Sequence, residues 1–289
     1  MEWILTIRTP LLTPFFQYIT WLGYSDFLFL FIPFCYWFLD RTKYGIFPLF
    51  IFVSALINSF LKEFFQDPRP DDILNIDPWL HGMDPSYGFP SGHAQLAVVI
   101  WGFLLLRTQN IFFKSIFLFL IISISFSRLY LGVHDLADII GGILIGIFSI
   151  FVLGQLLSRK FKKFRAIGRT KHFLIYILVL IVFTIFWPAH DDKTTVLALG
   201  GLIVGFWMGK EIDYSFMKYQ PPQNKLLSIL SAVIALIGFI LINENIDQLF
   251  SLVSLYKSIE ISISSFILGI YISFVAPSIL YLMKLQSTR

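Results

Sequence analysis

Long apolar runs follow one another along this chain with only short polar breaks between them. A helix that crosses a bilayer needs roughly 20 mostly apolar residues. By that measure the pattern predicts nine helices, over 21–39, 44–65, 92–106, 111–131, 136–157, 173–187, 195–208, 226–242 and 259–283. The third, sixth and seventh are short. The first twenty residues read differently. Ile4, Ile7, Leu11, Phe15 and Ile19 recur at near-helical spacing, broken by Pro10 and Pro14. That pattern predicts an amphipathic segment lying in the membrane interface. No basic leader or small-residue cleavage site marks it as a signal peptide.

Composition supports lipid as the solvent. Only 14% of residues are charged and 57% are hydrophobic, against about 25% charged in a soluble domain. The 33 phenylalanines suit lipid-facing and packed helix surfaces alike. Buried helices of a soluble protein are the alternative, and the near absence of polar sequence between the runs argues against them. Cys35 is alone, so it makes no internal disulfide.

The net charge of +4 matters less than its distribution. If the breaks after helices 1, 3, 5 and 7 and the C-terminus face the cytoplasm, all but six of the 22 Lys and Arg residues lie there. The six others are Arg8, Lys62, Arg69, Arg128, Lys193 and Lys257. Lys and Arg are enriched in cytoplasmic loops, so the N-terminus is expected outside and the C-terminus inside. The predicted organisation is an interfacial segment (1–20), a catalytic helical core (21–157), a basic cytoplasmic loop (158–172) and a C-terminal transmembrane extension (173–289).

Three motifs fall on the outer side. Lys62-x6-Arg69-Pro70 closes helix 2, Pro90-Ser91-Gly92-His93 opens helix 3, and Ser127-Arg128-x5-His134-x3-Asp138 spans the turn between helices 4 and 5. The predicted topology brings all three to one face. Lys62, Arg69 and Arg128 then form an anion pocket, with arginine forks that match phosphate oxygens. Ser91 and Gly92 sit at a helix N-terminus, where a hydroxyl, free N–H groups and the helix dipole favour an anion. His134 and Asp138 are four apart and share a helix face. The carboxylate can hold one ring nitrogen and leave the other to attack phosphorus. His93 is placed to protonate the leaving oxygen. Each residue alone has a structural reading: a snorkelling Lys62, a turn and N-cap at Pro90–Gly92, an interfacial His93, Arg128 paired with Asp135 or a headgroup, a structural His134–Asp138 hydrogen bond. All of these holding together at membrane depth is improbable, because ionisable residues there are functional by default.

Together the motifs resemble those of the type 2 phosphatidic acid phosphatase superfamily, whose pattern is matched at every fixed position from Lys62 to Asp138. The superfamily also includes the vanadium haloperoxidases. The resemblance implies an all-α polytopic membrane fold with a helical-bundle core around the pocket. It makes His134 the nucleophile, Asp138 its orienting partner and His93 the general acid. Lys62, Arg69, Ser91, Gly92 and Arg128 would bind the phosphoryl group. No metal and no cofactor is implied, since side-chain cations supply the charge stabilisation. A nine-helix layout with an outside N-terminus is also similar to glucose-6-phosphatase, which keeps a sugar phosphate open as substrate.

From Phe173 onward no motif appears. His190-Asp191-Asp192 reads as an exposed polar turn rather than a metal site. Gly200, Gly201, Gly205 and Gly209 lie at roughly helical spacing and allow close helix approach, for internal packing or a homodimer. The expected function is hydrolysis of a lipid phosphate or pyrophosphate on the outer face, in a bacterial inner membrane or on the lumenal face of an internal one. The partners expected are the lipid substrate and membrane lipids, with no nucleic acid. The acids Asp71, Asp72, Asp77 and Asp84 are expected to repel a soluble anion. A phosphotransferase, a vanadate-holding oxidase and a non-catalytic lipid-binding or transport protein remain as rivals.

Overall fold

The computed structural model describes residues 2–80, 86–158, 168–188, 193–250 and 256–287, and among them every regular element is a helix. His190-Asp191-Asp192, Asp84 and most of the basic loop lie outside the described residues. A 3-10 helix (Glu2–Ile7) precedes α1 (Leu12–Trp21), α2 (Ser25–Phe38), α3 (Arg41–Tyr44) and α4 (Phe47–Phe65). Next come α5 (Gly92–Arg107), α6 (Ile111–Tyr130), α7 (Leu136–Leu157), α8 (Arg169–Ile185), α9 (Thr194–Phe216), α10 (Lys225–Phe250) and α11 (Lys257–Leu282). One wide turn interrupts α5 at Val98–Gly102 and another interrupts α11 at Tyr271–Val275.

Polar residues at the breaks start several helices. Asp40, Asn110 and Asn224 each accept a hydrogen bond from the backbone N–H two residues on, at 2.8–2.9 Å. These caps satisfy donors that a helix start leaves free.

All nine predicted apolar segments contain helix, but among the described residues six helices are long and apolar enough to cross a membrane. They are Arg41–Phe65, α6, α7, α9, Lys225–Ile246 and α11. The pair α1 and α2, bent by 54° at its break, makes a seventh if counted as one. α5 and the apolar part of α8 fall in the range of 10–17 residues. At 1.5 Å per residue they rise at most about 25 Å, short of a hydrocarbon core of about 30 Å.

The chain divides into two compact units, one comprising Met1–Leu28 with Ile57–Ala166, the other Phe29–Leu56 with Ile167–Arg289. In the first, α5 lies close against α7 because glycines of α7 face it at two positions. A Cβ on Gly142 would stand 2.5 Å from the Ser91 carbonyl oxygen, and one on Gly146 would stand 2.8 Å from the Val98 Cβ. The N-terminal segment packs on the end of α6, with the Phe16 and Tyr130 rings 4.5 Å apart between centroids. It also ties down the loop after α4. Arg8 Nη2 donates to the Leu74 carbonyl at 2.5 Å, Gln17 Nε2 to the Ile76 carbonyl at 3.0 Å, and Trp79 Nε1 to the Gln17 carbonyl at 2.9 Å. The expected surface segment is thus a 3-10 helix and α1, separated at Pro10, with Ile4 and Phe16 buried and Leu11 and Tyr18 exposed.

In the second unit the glycine stripe of α9 meets α11. A Cβ on Gly201 would stand 2.3 Å from the Ser262 carbonyl oxygen, and one on Gly205 would stand 2.1 Å from that of Phe266. The close approach readable in the sequence is made within the chain. A buried ion pair, Arg41 to Asp213 at 3.0 Å, joins α3 to α9 in this unit.

Candidate active site

The three motifs meet in the first unit. The turn between α6 and α7 does most of the positioning. The Val133 N–H donates to the Arg128 carbonyl at 3.1 Å, and the His134 N–H to the same oxygen at 3.3 Å. Gly132 makes this turn with φ of +76°, where a Cβ would stand 2.2 Å from the Leu74 carbonyl oxygen, so only glycine fits. α7 then opens with a reciprocal cap. Asp135 Oδ1 accepts the Asp138 N–H at 3.0 Å, and Asp138 Oδ2 accepts the Asp135 N–H at 3.1 Å. The same Asp138 Oδ2 lies 2.9 Å from His134 Nδ1, with both side chains buried. Asp138 therefore holds His134 by one nitrogen and directs Nε2 into the site.

Ser91 caps α5, its Oγ accepting the Ala94 N–H at 3.5 Å, and its own N–H donates to the Asp138 carbonyl at 3.0 Å. That bond joins the second motif to the third. Beneath it, Asn58 Nδ2 on α4 donates to Gln95 Oε1 at 2.9 Å and to the Pro90 carbonyl at 3.3 Å. A Cβ on Gly92 would stand 3.0 Å from Asn58 Oδ1. Lys62 Nζ donates to the carbonyls of Tyr87 and Gly88, the latter at 3.2 Å. Arg69 Nη1 donates to the Val133 carbonyl at 3.1 Å and stands 3.5 Å from His134 Nε2.

Burial holds the His134 imidazole well below its usual pKa range, and the cations of Arg128, Arg69 and Lys62 add to it. The ring is thus kept neutral, the form that carries a free lone pair. Burial, then the Arg128 charge, lowers Arg69 to about 10, which still leaves it a cation at neutral pH.

Several residues outside the motifs complete the site. Arg128 is buried and pairs with Asp77, not Asp135, at 2.5 Å. Its Nη1 also donates to Thr20 Oγ1 at 2.6 Å. Asp77 is fully buried and so does not belong to the exposed acidic screen that the loop composition suggested; Asp71 and Asp72 are exposed. Gly23 and Gly88 are also required. A Cβ on Gly88 would stand 3.1 Å from Asp138 Oδ2, and one on Gly23 would stand 2.3 Å from His93 Cδ2. Gly23→Ala should therefore displace the His93 ring. We expect hydrolysis of an alkyl phosphate to fall about 100-fold, the cost of an ångström-scale misplacement. A p-nitrophenyl ester, whose leaving group needs less protonation, should lose far less, and equal losses on the two would count against a leaving-group role for His93. No local signal marks these residues, since their importance comes from what lies opposite them.

Three polar atoms of the motifs are buried and without a hydrogen-bond partner among the described residues: His93 Nε2, Arg128 Nε and Asp138 Oδ1. Leaving such groups unpaired is costly; Arg128 Nε always carries a proton for an oxyanion, and His93 Nε2 carries one when its ring is protonated.

A polytopic helical membrane protein with paired histidines and clustered cations is the class that this fold and site define. The model of the PAP2 superfamily matches residues 43–162. Phosphatidylglycerophosphatase B of Bacillus subtilis (strain 168) is 32% identical over 172 residues, covering 55% of this chain and 81% of that protein. Sphingosine-1-phosphate phosphatase 2 of Homo sapiens is 28% identical over 236 residues, covering 73% of this chain and 55% of that protein. The crystal structure of a transmembrane PAP2 type phosphatidylglycerolphosphate phosphatase from Bacillus subtilis aligns with a TM-score of 0.46 at 26% identity, over 55% of this chain and 84% of that one. The chain belongs to the PAP2 superfamily. It spans about half the length of the Homo sapiens relative.

Proposed function

We propose that this protein is a phosphatase of membrane lipid phosphates or pyrophosphates, working through a phosphohistidine on the extracytoplasmic face without a metal. The observation that carries the reading is His134, held at Nδ1 by Asp138 at 2.9 Å with Nε2 turned to Arg69 at 3.5 Å, while His93 Nε2 and Arg128 Nε are buried and unpaired among the described residues. A binding protein needs the cations but gains nothing from a nucleophile so held.

The chemistry balances with these groups alone. The His134 Nε2 lone pair forms the N–P bond as the P–O bond to the lipid alkoxide breaks. The alkoxide takes a proton from His93. Water then attacks phosphorus, His93 accepts its proton, and the N–P bond breaks to release inorganic phosphate. Lys62, Arg69, Arg128 and the N–H groups at the start of α5 stabilise the charge that gathers on the phosphoryl oxygens. These fixed cations take the place a divalent ion fills elsewhere.

The relatives named above are phosphatases of sphingosine 1-phosphate and phosphatidylglycerophosphate, which favours a lipid over glucose 6-phosphate. The exposed Asp71 and Asp72 also disfavour a soluble anion. The outer-face assignment rests on the distribution of Lys and Arg.

Phosphate release by the purified protein, measured in EDTA on both lipids, on phosphatidate, a prenyl pyrophosphate and glucose 6-phosphate, tests the reading. We expect a lipid to have the highest kcat/KM and vanadate, which mimics five-coordinate phosphorus, to inhibit. Activity that EDTA abolishes and Mg²⁺ restores would overturn the metal-free mechanism. A preference for glucose 6-phosphate would overturn the substrate class.

A further inference from the structure

A buried ion pair joins the motif residue Arg128 to a carboxylate outside the motifs. Asp77 Oδ2 accepts from Arg128 Nη1 at 2.5 Å and from the Tyr24 hydroxyl at 2.6 Å. Its Oδ1 accepts the Trp79 N–H at 3.1 Å, and its own N–H donates to Asn75 Oδ1 at 2.9 Å. The loop that carries Asp77 is held by the Ile76 N–H on the Leu131 carbonyl at 3.0 Å, and by the contacts of Arg8 and Gln17 described above. Tyr24 reaches further. Its ring stands edge-on to that of His93, with centroids 4.6 Å apart and an interplanar angle of 81°. One carboxylate thus orients a cation directly and an imidazole through a tyrosine.

A buried ion pair is a weak source of stability, because the desolvation cost offsets the attraction; fixing a geometry is the better-attested use. The geometry here is specific. Asp77 and Thr20 hold Arg128 by Nη1, while Nε on the same guanidinium is buried and has no partner among the described residues. A guanidinium is a rigid planar fork, so tying one corner sets the direction of the others.

We propose that Asp77 and Tyr24 are positioning residues, which aim the Arg128 guanidinium at the phosphoryl group and set the His93 ring beside the leaving oxygen. This rests on the phosphatase reading. Neither residue touches the reacting atoms. Asp77 acts through Arg128, and Tyr24 acts through both Asp77 and His93.

Tyr24→Phe and Asp77→Asn test this, with a lipid phosphate as substrate and thermal unfolding in detergent as the measure of folding. Tyr24→Phe keeps the ring against His93 and the buried ion pair, and removes only the hydroxyl. We expect it to keep the wild-type unfolding midpoint and to lower kcat about tenfold, with KM changed less, because a misaimed cation is felt most where charge develops. Asp77→Asn should lower kcat about 100-fold. The double variant should be no worse than Asp77→Asn beyond about threefold, since residues in one network are not additive. By the same logic Asp77→Asn should cost little more in an Arg128→Lys background. A kcat in Tyr24→Phe equal to wild type overturns the proposal, whether or not Asp77→Asn folds. So do losses that multiply in the double variant, the signature of two independent structural defects. Wild-type protein that hydrolyses none of the phosphate esters overturns the phosphatase reading and this inference with it. Wild-type turnover with unaffected variants overturns this inference alone.

Discussion

Hydrolysis of a lipid phosphate should fall by several orders of magnitude in His134→Ala, while the protein still folds and binds substrate. The expectation follows from the geometry around one ring. Asp138 Oδ2 holds Nδ1 at 2.9 Å, and Nε2 faces the cations. Removing the imidazole removes both the step that forms the phosphoenzyme and the step that consumes it, the loss expected for a covalent nucleophile. The groups proposed to bind phosphate come from other residues and stay. Labelled substrate should trap an acid-labile, base-stable phosphoenzyme in the wild type and none in the variant. Asp138→Asn keeps the shape of the contact but loses the charge that supports the imidazolium, and by analogy with a triad carboxylate it should cost about 10⁴-fold in kcat. The pH profile offers a further check. Nucleophilic attack needs the neutral ring, and burial with the neighbouring cations holds the His134 pKa well below 6.5. Protonation of His134 therefore should not reduce kcat/KM as the pH falls to 6.5, and the loss should begin below that. Substantial turnover by His134→Ala, with label trapped on another residue, would show that the nucleophile lies elsewhere.

Arg128→Ala should lower stability sharply. It leaves Asp77 fully buried with its cation gone. Breaking a buried pair from one side costs about 3–5 kcal/mol, which in a chain of this size lowers the unfolding midpoint on the order of 10 °C. Activity should be lost with it, because the proposed phosphoryl pocket loses a buried guanidinium donor. The double variant Arg128→Met with Asp77→Leu separates the two effects. With both charges gone it should recover most of the lost stability, as apolar replacement of buried ion pairs does elsewhere, yet recover no activity. An unfolding midpoint near wild type in Arg128→Ala would mean that the pair is not formed as described.

Much of this protein was readable before any coordinates. α4, α6, α7 and α10 each coincide with a long apolar run, and the motif residues at 62, 69, 91–93, 128, 134 and 138 stood out by type and spacing. The glycine stripe on α9 was readable as a close-packing face, though not what packs against it. In α5 the apolar run was visible, but the helix is too short to count as a span. Asp77 was misplaced altogether. Among the acids of a polar loop it looked solvated, and it is instead the buried partner of Arg128. Gly23 and Gly88 carried no signal, because the reason for them is a side chain on another element.

The division follows from where each interaction is made. In lipid a helix must satisfy its own backbone hydrogen bonds within a few residues, since no water is there to do so. Local pattern therefore determined the helices, and the requirement for cations, imidazoles and a carboxylate at one membrane edge determined the candidate chemistry. Arg128 meets Asp77 and Thr20 across 51 and 108 residues of sequence. Contacts at that separation depend on how α5 packs on α7 and how the N-terminal segment clamps the loop after α4. Only the tertiary structure decided those, because the local pattern of a polar loop is the same whether or not the fold buries Asp77 against Arg128.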